Sequence, residues 1–371
     1  MKYYLIAGEK SGDLHAANLM KALLREDAAA VFRYWGGEAM QAVGGTLVKH
    51  YQEMAFMGIW EVVKNIRTIR GFLKEAQRDI MDYQPNVVIL VDYGGFNMRI
   101  SKWCKTHHIK NFYYISPKVW AWNTKRALKI KVNVDRMFVI FPFEKAFYKQ
   151  FDYEVDFVGN PQMDAIQAYQ PNEQFLAQNA LDTKKKIIAL LPGSRKQEIA
   201  KIFANMLAVI HQFSQYQFVV AGIGRLPKSF YQSCEGVANV KVVYDQTYDL
   251  LAHSHAAIVT SGTATLETAL FNVPQVVCYK TSTINYLVFK QLLKVKYISL
   301  VNLVMDKEVV KELIQKEFTP DRLTQELTHL LGEAQRAHML QEYTTLHHLL
   351  GNEGASAKTA QLMVKYLQPT P

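Results

Sequence analysis

The chain has 371 residues, 49% of them hydrophobic, and a formal net charge of +10. This length exceeds a single ordinary core, so two domains are expected. The three cysteines are far apart and form no CxxC pair, which argues against a disulfide framework or a zinc site and favours a reducing cytoplasm. No run reaches the roughly 20 apolar residues of a membrane-spanning helix, and no secretory signal is recognisable, so we predict a soluble or peripheral protein.

The first strand-like run, Tyr3 to Ala7, leads directly into the turn Gly8-Glu9-Lys10-Ser11-Gly12-Asp13 and a helix that extends to about Leu24. This turn does not have the GxGxxG pattern of a nucleotide loop. An open α/β sheet places its ligand crevice at the carboxyl ends of its strands. We therefore predict that Glu9 lies at the crevice, and that Ser11 or Asp13 caps the helix that follows.

The segment from Met54 to Trp60 is rich in Met, Phe and Trp and leads into an apolar helical stripe interleaved with lysines and arginines. A basic amphipathic segment of this kind can lie on an anionic bilayer or line a groove for acyl chains, and an apolar stripe is also typical of an ordinary core. The candidate acyl or membrane contacts are Met54, Phe56, Met57 and Trp60.

A second polar turn follows the apolar run Val87 to Val91, where Asp92 precedes Tyr93-Gly94-Gly95-Phe96-Asn97. Asp92 is predicted to share the crevice with Glu9, where partial burial would suit it to accept a proton from an attacking hydroxyl. Helix capping, or pairing with a nearby lysine, would explain the same residue. Residues 93–134 hold nine Lys or Arg and no Asp or Glu. A solvated face would explain this run of charge. Since no nucleic-acid motif accompanies it, a lipid or phosphate partner is favoured over nucleic acid.

Strand-like and helix-like segments alternate along most of the chain, which is typical of parallel sheets built from βαβ units. After a polar connection near residues 162–183 the same alternation restarts at Ile187 to Leu191. We predict an α/β fold of two Rossmann-like domains, residues 1–165 and 166–340, with a helical C-terminal segment, 341–371. Packing on the first domain, an exposed tail or a dimer contact would all fit the final helix.

Two loops of the second half have the features of a diphosphate site. Pro192-Gly193-Ser194-Arg195 follows the Ile187 to Leu191 strand and opens a helix, so that backbone N–H groups, the positive helix end and the Arg195 guanidinium would face an anion. Ser261-Gly262-Thr263 follows the strand Ala256 to Val259 in the same way, with Ser261 as the expected N-cap. Glu267 lies about one helical turn further on, where a carboxylate can accept the hydroxyls of a ribose.

Taken together, these residues resemble the lipid-A-disaccharide synthases, a glycosyltransferase family whose two Rossmann-like domains form the GT-B architecture. The resemblance runs nearly the whole length of the chain. The matching elements are Gly8 to Asp13, Met57-Gly58-Ile59 with Glu61-Val62, Phe96-Asn97, Ser116 to Trp122, Pro142-Phe143-Glu144, Leu190 to Arg195, Ser261 to Glu267 and Ser299 to Leu303.

The resemblance implies an inverting transfer of a diacylated glucosamine from UDP-2,3-diacylglucosamine to the 6-hydroxyl of 2,3-diacylglucosamine 1-phosphate, with no metal and no other cofactor. It places the reaction on the cytoplasmic side of the inner membrane, with the protein peripheral on that surface. Glu9 and Asp92 would act beside the reacting sugars. The expected substrate-binding residues are Ser11, Gly193, Ser194, Arg195, Ser261, Gly262, Thr263, Glu267 and Asn302.

One departure from the family pattern concerns the proton acceptor. Members often carry Pro and Asp where this chain has Gly94 and Gly95. The base is therefore Asp92, or Glu9, or the hydroxyl loses its proton late without a dedicated base. Two alternative functions also fit the architecture, a UDP-N-acetylglucosamine 2-epimerase and a peripheral lipid-binding protein without turnover.

Overall fold

The protein is represented by a computed structural model in which residues 1–54, 66–282, 286, 295–351 and 354–368 are described. It divides into two compact units, Met1–Asp164 with Leu350–Pro371, and Ala165–Leu349. Each unit contains one parallel sheet whose strands alternate with helices. The prediction of an α/β fold with two Rossmann-like domains is confirmed. No helix within the described ranges is long and apolar enough to cross a bilayer.

The sheet of the first unit has seven parallel strands in the order β3-β2-β1-β4-β5-β6-β7. The strands are β1 (Lys2–Ala7), β2 (Val31–Gly36), β3 (Thr46–His50), β4 (Val87–Val91), β5 (Asn111–Tyr114), β6 (Arg136–Val139) and β7 (Asp156–Phe157). All five residues of β4 are buried, as expected for a parallel strand covered on both faces. The strand order reverses between β1 and β4, so this unit has its switch point there.

The helices of the first unit connect these strands in sequence. They are α1 (Lys10–Glu26), α2 (Glu38–Val43), α3 (Ile66–Tyr83), α4 (Gly94–Thr106), α5 (Val119–Trp122), α6 (Arg126–Asn133) and α7 (Pro142–Lys149), and α8 (Pro161–Gln167) runs across the boundary into the second unit.

The second unit repeats this plan with six parallel strands in the order β10-β9-β8-β11-β12-β13. The strands are β8 (Ile187–Leu191), β9 (Gln217–Gly222), β10 (Val240–Tyr244), β11 (Ser254–Thr260), β12 (Gln275–Tyr279) and β13 (Lys311–Ile314). The helices are α9 (Phe175–Gln178), α10 (Lys196–Ala208), α11 (Thr247–Ala252), α12 (Thr263–Leu270), α13 (Leu300–Met305), α14 (Pro320–Leu331) and α15 (Glu333–Leu350). The switch point lies between β8 and β11.

The last helix of the chain, α16 (Ala355–Leu367), packs against α1 in the first unit. Asp164 holds its N-terminus, because its carboxylate accepts hydrogen bonds from the backbone N–H groups of Gly354, Ala355 and Ser356 at 2.7–3.2 Å. These contacts satisfy N–H groups that a helix cannot pair internally. The segment boundary expected at residue 340 falls inside α15, whereas the two units divide near Leu350.

Asp13 caps a helix other than the one predicted. Its carboxylate is almost fully buried and accepts hydrogen bonds from the backbone N–H groups of Gly37, Ala39 and Met40 at 2.7–3.2 Å. These groups belong to the N-terminus of α2, whereas α1 begins after Glu9 with no side-chain cap. The expectation that Ser11 or Asp13 caps α1 is therefore wrong. The correct partner is distant in sequence and is brought to Asp13 by the pairing of β1 with β2.

Candidate active site

The two loops expected to bind a diphosphate leave adjacent strands at the switch point of the second sheet. β8 and β11 pair in parallel, with Leu191 opposite Val259. The Pro192 to Arg195 loop and the Ser261-Gly262 turn therefore start side by side at the carboxyl edge. In open α/β sheets this is where ligands bind.

The first of these loops presents its polar groups to solvent at the start of a long helix. Gly193 has a φ of +104°, a left-handed conformation that favours glycine. Ser194 and Arg195 are exposed, and α10 begins at Lys196 with 13 residues. The free N–H groups at this end carry the positive end of the helix dipole, so the loop can accept an anion.

Arg195 forms an ion pair with a carboxylate that was not predicted. Its guanidinium donates to Glu198 at 2.7 Å, and the Arg195 side chain remains 65% exposed. A Cβ added to Gly193 would meet Oε2 of Glu198 at 2.8 Å, so glycine at 193 leaves room for this carboxylate. Arg195 is the N-cap of α10 and Glu198 follows three positions later, a spacing from which this contact could have been predicted.

The second loop is braced by a segment far along the chain. The Ser261 hydroxyl donates to the carbonyl of Ile298 at 2.8 Å, and the Thr265 hydroxyl accepts from the backbone N–H of Leu300. The N-cap of α12 is Gly262, so the expectation that Ser261 caps this helix is wrong. Gly262 and Thr263 are exposed and leave their polar groups accessible to a ligand.

Glu267 is held by a tyrosine that was not predicted. The Tyr248 hydroxyl donates to Oε1 of Glu267 at 3.2 Å, and the Tyr248 ring packs against Tyr169 and Phe271. Burial raises the pKa of Glu267, and the hydrogen bond from Tyr248 opposes this shift. Within the described ranges its second carboxylate oxygen has no hydrogen-bond donor, which leaves it available to a hydroxyl of a ligand.

Asn302 has a structural position in the interior of the unit. It is fully buried, and its Nδ2 donates to the carbonyl of Val310 at 2.8 Å and to the carboxylate of Glu312 at 2.9 Å. Its Oδ1 accepts from the backbone N–H groups of Val309 and Val310 at 2.8 and 2.9 Å. All donors and acceptors of the amide are thus used. This corrects the expectation of direct substrate contact, because such a contact would require one of these bonds to break.

In the first unit, Glu9 and Asp92 emerge next to each other at the switch point. β1 pairs with β4 so that Ala7 lies opposite Val91, and the turns that carry the two carboxylates follow immediately. Close packing ties the turns together, since a Cβ added to Gly8 would meet the Tyr93 ring at 2.3 Å. The Tyr93 hydroxyl also donates to the carbonyl of Met54 at 2.9 Å.

The backbone at Asp92 is held in an uncommon conformation. Asp92 and Tyr93 have φ values of +46° and +49°, which cost non-glycine residues of order 1–3 kcal/mol each. The Asp92 carbonyl accepts from the hydroxyl of Tyr113 at 2.6 Å and from Nδ2 of the buried Asn97 at 2.9 Å. Strain fixed by buried partners is a common feature of functional sites.

The environment of Asp92 suits proton transfer near neutral pH. Burial raises the pKa of its carboxyl to about 6, the positive charge of Lys118 lowers it, and the negative charge of Glu9 raises it. Lys118 is exposed and belongs to the Ser116 to Trp122 block. A base works best when its pKa lies near the operating pH. The arrangement therefore provides a partly buried carboxylate between charges of opposite sign.

The other predicted residues of the first unit fall into three groups. Ser11 is exposed in the first turn of α1, close to Glu9 in the chain. Met54 is 1% exposed and packs in the core of the unit, so its side chain is not available at the surface as expected for a membrane contact. Phe56, Met57 and Trp60 lie outside the described residues.

The sequence comparisons with known proteins agree on one family. The family model described as lipid-A-disaccharide synthetase matches residues 3–366. The lipid-A-disaccharide synthase of Syntrophus aciditrophicus is 36% identical over 374 residues, which cover 98% of this chain and 97% of the relative.

Two solved structures with the same fold are far less similar in sequence. The UDP-GlcNAc 2-epimerase of Neisseria meningitidis bound to UDP-GlcNAc has a TM-score of 0.70 at 14% identity, covering 98% of this chain and 100% of that one. The glycotransferase of kitacinnamycin has a TM-score of 0.70 at 14% identity, covering 99% of both chains. At this identity the likeness concerns the fold alone.

Proposed function

Because this chain belongs to the lipid-A-disaccharide synthase family, it is a glycosyltransferase of lipid A biosynthesis, and we propose that it joins UDP-2,3-diacylglucosamine to 2,3-diacylglucosamine 1-phosphate. The proposed products are lipid A disaccharide 1-phosphate and UDP, formed with inversion at the anomeric carbon. The sugar-nucleotide donor and the lipid acceptor follow from the family, and the acylation pattern and stereochemistry are the proposed details.

The observation that carries the proposal is the pair of adjacent loops at the switch point of the second sheet, each of which leads into the N-terminus of a helix. Gly193, Ser194 and Arg195 would hold the donor diphosphate at the N-terminus of α10, while Gly262 and Thr263 would supply donors at the start of α12. Ser261 would support this second loop. Glu267 would accept hydrogen bonds from the ribose.

In the proposed reaction the acceptor O6 forms a bond to the anomeric carbon as the bond from that carbon to the β-phosphate oxygen breaks. The bonding electrons leave with the diphosphate, where negative charge increases. Arg195 and the N–H groups of the two helix ends would lie near this charge and would stabilise it more in the transition state than in the ground state. This differential stabilisation accelerates the transfer.

We propose that Asp92 is the base that accepts the proton of the acceptor hydroxyl. Its pKa of about 6 keeps the carboxylate ionised at neutral pH and close enough to the operating pH for efficient transfer. Lys118 favours the ionised form. Glu9, whose charge opposes ionisation of Asp92, and Ser11 would contact the sugars at the same edge.

A membrane-facing surface is proposed for the basic segment of the first unit. Trp122, Leu128 and Val132 are 41%, 52% and 65% exposed, and they alternate with four cations, Lys125, Arg126, Lys129 and Lys131. Exposed apolar side chains among cations are typical of peripheral contact with an anionic bilayer. We propose that this surface contacts the cytoplasmic face of the inner membrane, as the family resemblance implies, with Phe56, Met57 and Trp60 as further predicted contacts.

Incubation of the purified protein with a panel of acylated and plain UDP-sugars, with and without the acylated acceptor, tests the proposal. We expect UDP release only when both acylated sugars are present, and a product with the mass of a tetra-acyl disaccharide phosphate. Interconversion of plain UDP-N-acetylglucosamine with its 2-epimer would instead support the epimerase. Lipid binding without any product would support the non-catalytic alternative.

A further inference from the structure

A positively charged pocket lies at the amino ends of β8 and β11, on the sheet edge opposite the candidate diphosphate loops. Its volume is about 350 Å³. Its charged and titratable side chains, named the basic pocket, are those of Asp182, Lys184, Lys185, Lys186, His253, His255 and Arg336. They come from the segment before β8, from the start of β11 with the residue that precedes it, and from α15.

The charge of the basic pocket is strongly unbalanced. Four permanent cations line it with one carboxylate, that of Asp182, which accepts a hydrogen bond from the backbone N–H of Lys184 at 2.8 Å. Across the described ranges, Lys184, Lys186 and Arg336 form no ion pair with any carboxylate. Like charges concentrated in one concavity raise the local concentration of anions.

The geometry of β11 changes where it enters the basic pocket. Its pairing with β8 shifts between Ser254 and Ala256, so that His255 is the extra residue of a bulge. The Arg336 guanidinium donates a hydrogen bond to the carbonyl of His255, which fixes α15 to this bulge. Bulges redirect side chains and are often found beside functional sites.

Burial first, and then the neighbouring positive charges, disfavour the protonated form of His255. Burial, together with the charges of Arg336 and Lys186, lowers its pKa to about 4. Burial also lowers the pKa of Arg336. An anion placed among these groups would relieve their repulsion and move the pKa of His255 upward.

We propose that the basic pocket is a second anion site, which binds a phosphate-bearing ligand separate from the donor nucleotide. The five residues of β8 span roughly 17 Å at 3.3 Å per residue, so one diphosphate cannot occupy both ends of the strand. The pocket volume lies within the range typical of small-molecule sites. Lys184, Lys186 and Arg336 favour phosphate, whose oxygens accept several charge-assisted hydrogen bonds. Lys185 contributes its charge only, because its ammonium group donates to the carbonyl of Ser214 and to Oδ1 of Asn239.

Titration of the full-length protein with inorganic pyrophosphate tests the site, with the imidazole resonances of His255 as the local reporter. We expect saturable shifts of these resonances and a rise in the pKa of His255. The double variant Lys184→Gln/Lys186→Gln should weaken this binding by about tenfold or more, as the loss of two charge-assisted contacts predicts. The matched control Lys201→Gln/Lys241→Gln removes two exposed lysines of the same unit and should bind pyrophosphate like the wild type.

Vesicles containing phosphatidylglycerol distinguish a lipid headgroup from a soluble phosphate. Sedimentation that depends on Lys184 and Lys186 would identify the ligand as a headgroup, and binding of pyrophosphate alone would identify it as soluble. Unchanged His255 resonances with both probes, or equal affinity in the two double variants, would overturn the proposal. Because His255 reports only on this edge, the result is independent of whether the other edge binds UDP.

Discussion

Replacement of Arg195 by alanine should impair catalysis with little effect on folding. Loss of one donor that stabilises developing charge costs about 2–4 kcal/mol, which corresponds to a fall in kcat/KM of about 30- to 1000-fold at 1.36 kcal/mol per decade. The Arg195 side chain is 65% exposed, and its ion pair with Glu198 lies within one helical turn. Such a pair contributes about 0.3–0.5 kcal/mol to the free energy of unfolding, so the Tm should hardly change.

Initial rates of UDP release from the acylated donor and acceptor give kcat/KM for this variant. Arg322→Ala is the matched control, since Arg322 is 47% exposed and pairs with Glu326 on a helix of the same unit. A second measurement uses Glu198, whose carboxylate is left unpaired beside the diphosphate when Arg195 is removed. Adding Glu198→Gln to Arg195→Ala should therefore restore part of the lost activity. If Arg195→Ala stays within threefold of the Arg322→Ala control, Arg195 is not part of the site.

Three further predictions concern the base, the buried amide and the packing of the first turn. In the wild type kcat/KM should rise as pH increases through about 6, because Asp92 accepts a proton only when it is ionised. Asp92→Asn should lower kcat/KM and abolish this rise with pH. If the variant kept the same rise, the base would be another group. Asn302→Ala should lower the free energy of unfolding by about 2–4 kcal/mol, because it leaves several buried polar groups unpaired. Unfolding in urea measures this change. A raised KM with an unchanged free energy of unfolding would instead show that Asn302 contacts the ligand directly. Gly8→Ala should reduce kcat/KM, because the added methyl group would displace the Tyr93 ring. Gly95→Ala should have little effect in the same rate assay, since no atom lies within 4 Å of the added Cβ. Equal kcat/KM values for the two variants would contradict this prediction.

Local pattern was sufficient to predict the two sheets and the position of the candidate loops. β4 and β8 are continuous apolar runs because both faces of a parallel sheet are covered. Each run ends in small and polar residues, and the carboxyl ends of parallel strands share one edge. The closeness of Glu9 to Asp92, and of the Arg195 loop to Gly262, follows from this rule once the strands pair as they do.

The partners of buried polar groups were determined only by the tertiary structure. Asp13 caps α2 instead of α1, Asp164 holds the start of α16, and Asn302 is saturated by backbone groups and Glu312. The spacing at which apolar residues recur along a helix or strand indicates which of its faces is buried. It carries no information on which distant N–H or carboxylate a polar side chain will meet.

The basic pocket also combines features that local sequence indicates with an arrangement that depends on tertiary packing. Composition and local motifs were enough to indicate an excess of positive charge, two strand–loop–helix segments that suit a diphosphate, and a resemblance to a glycosyltransferase family. Lys184, His255 and Arg336 are separated by up to 152 residues, and the pairing of β11 with β8 and the packing of α15 bring them into one pocket. The charge of each residue can be known from the sequence. The clustering of these charges at one place depends on long-range packing, which exists only in the folded chain.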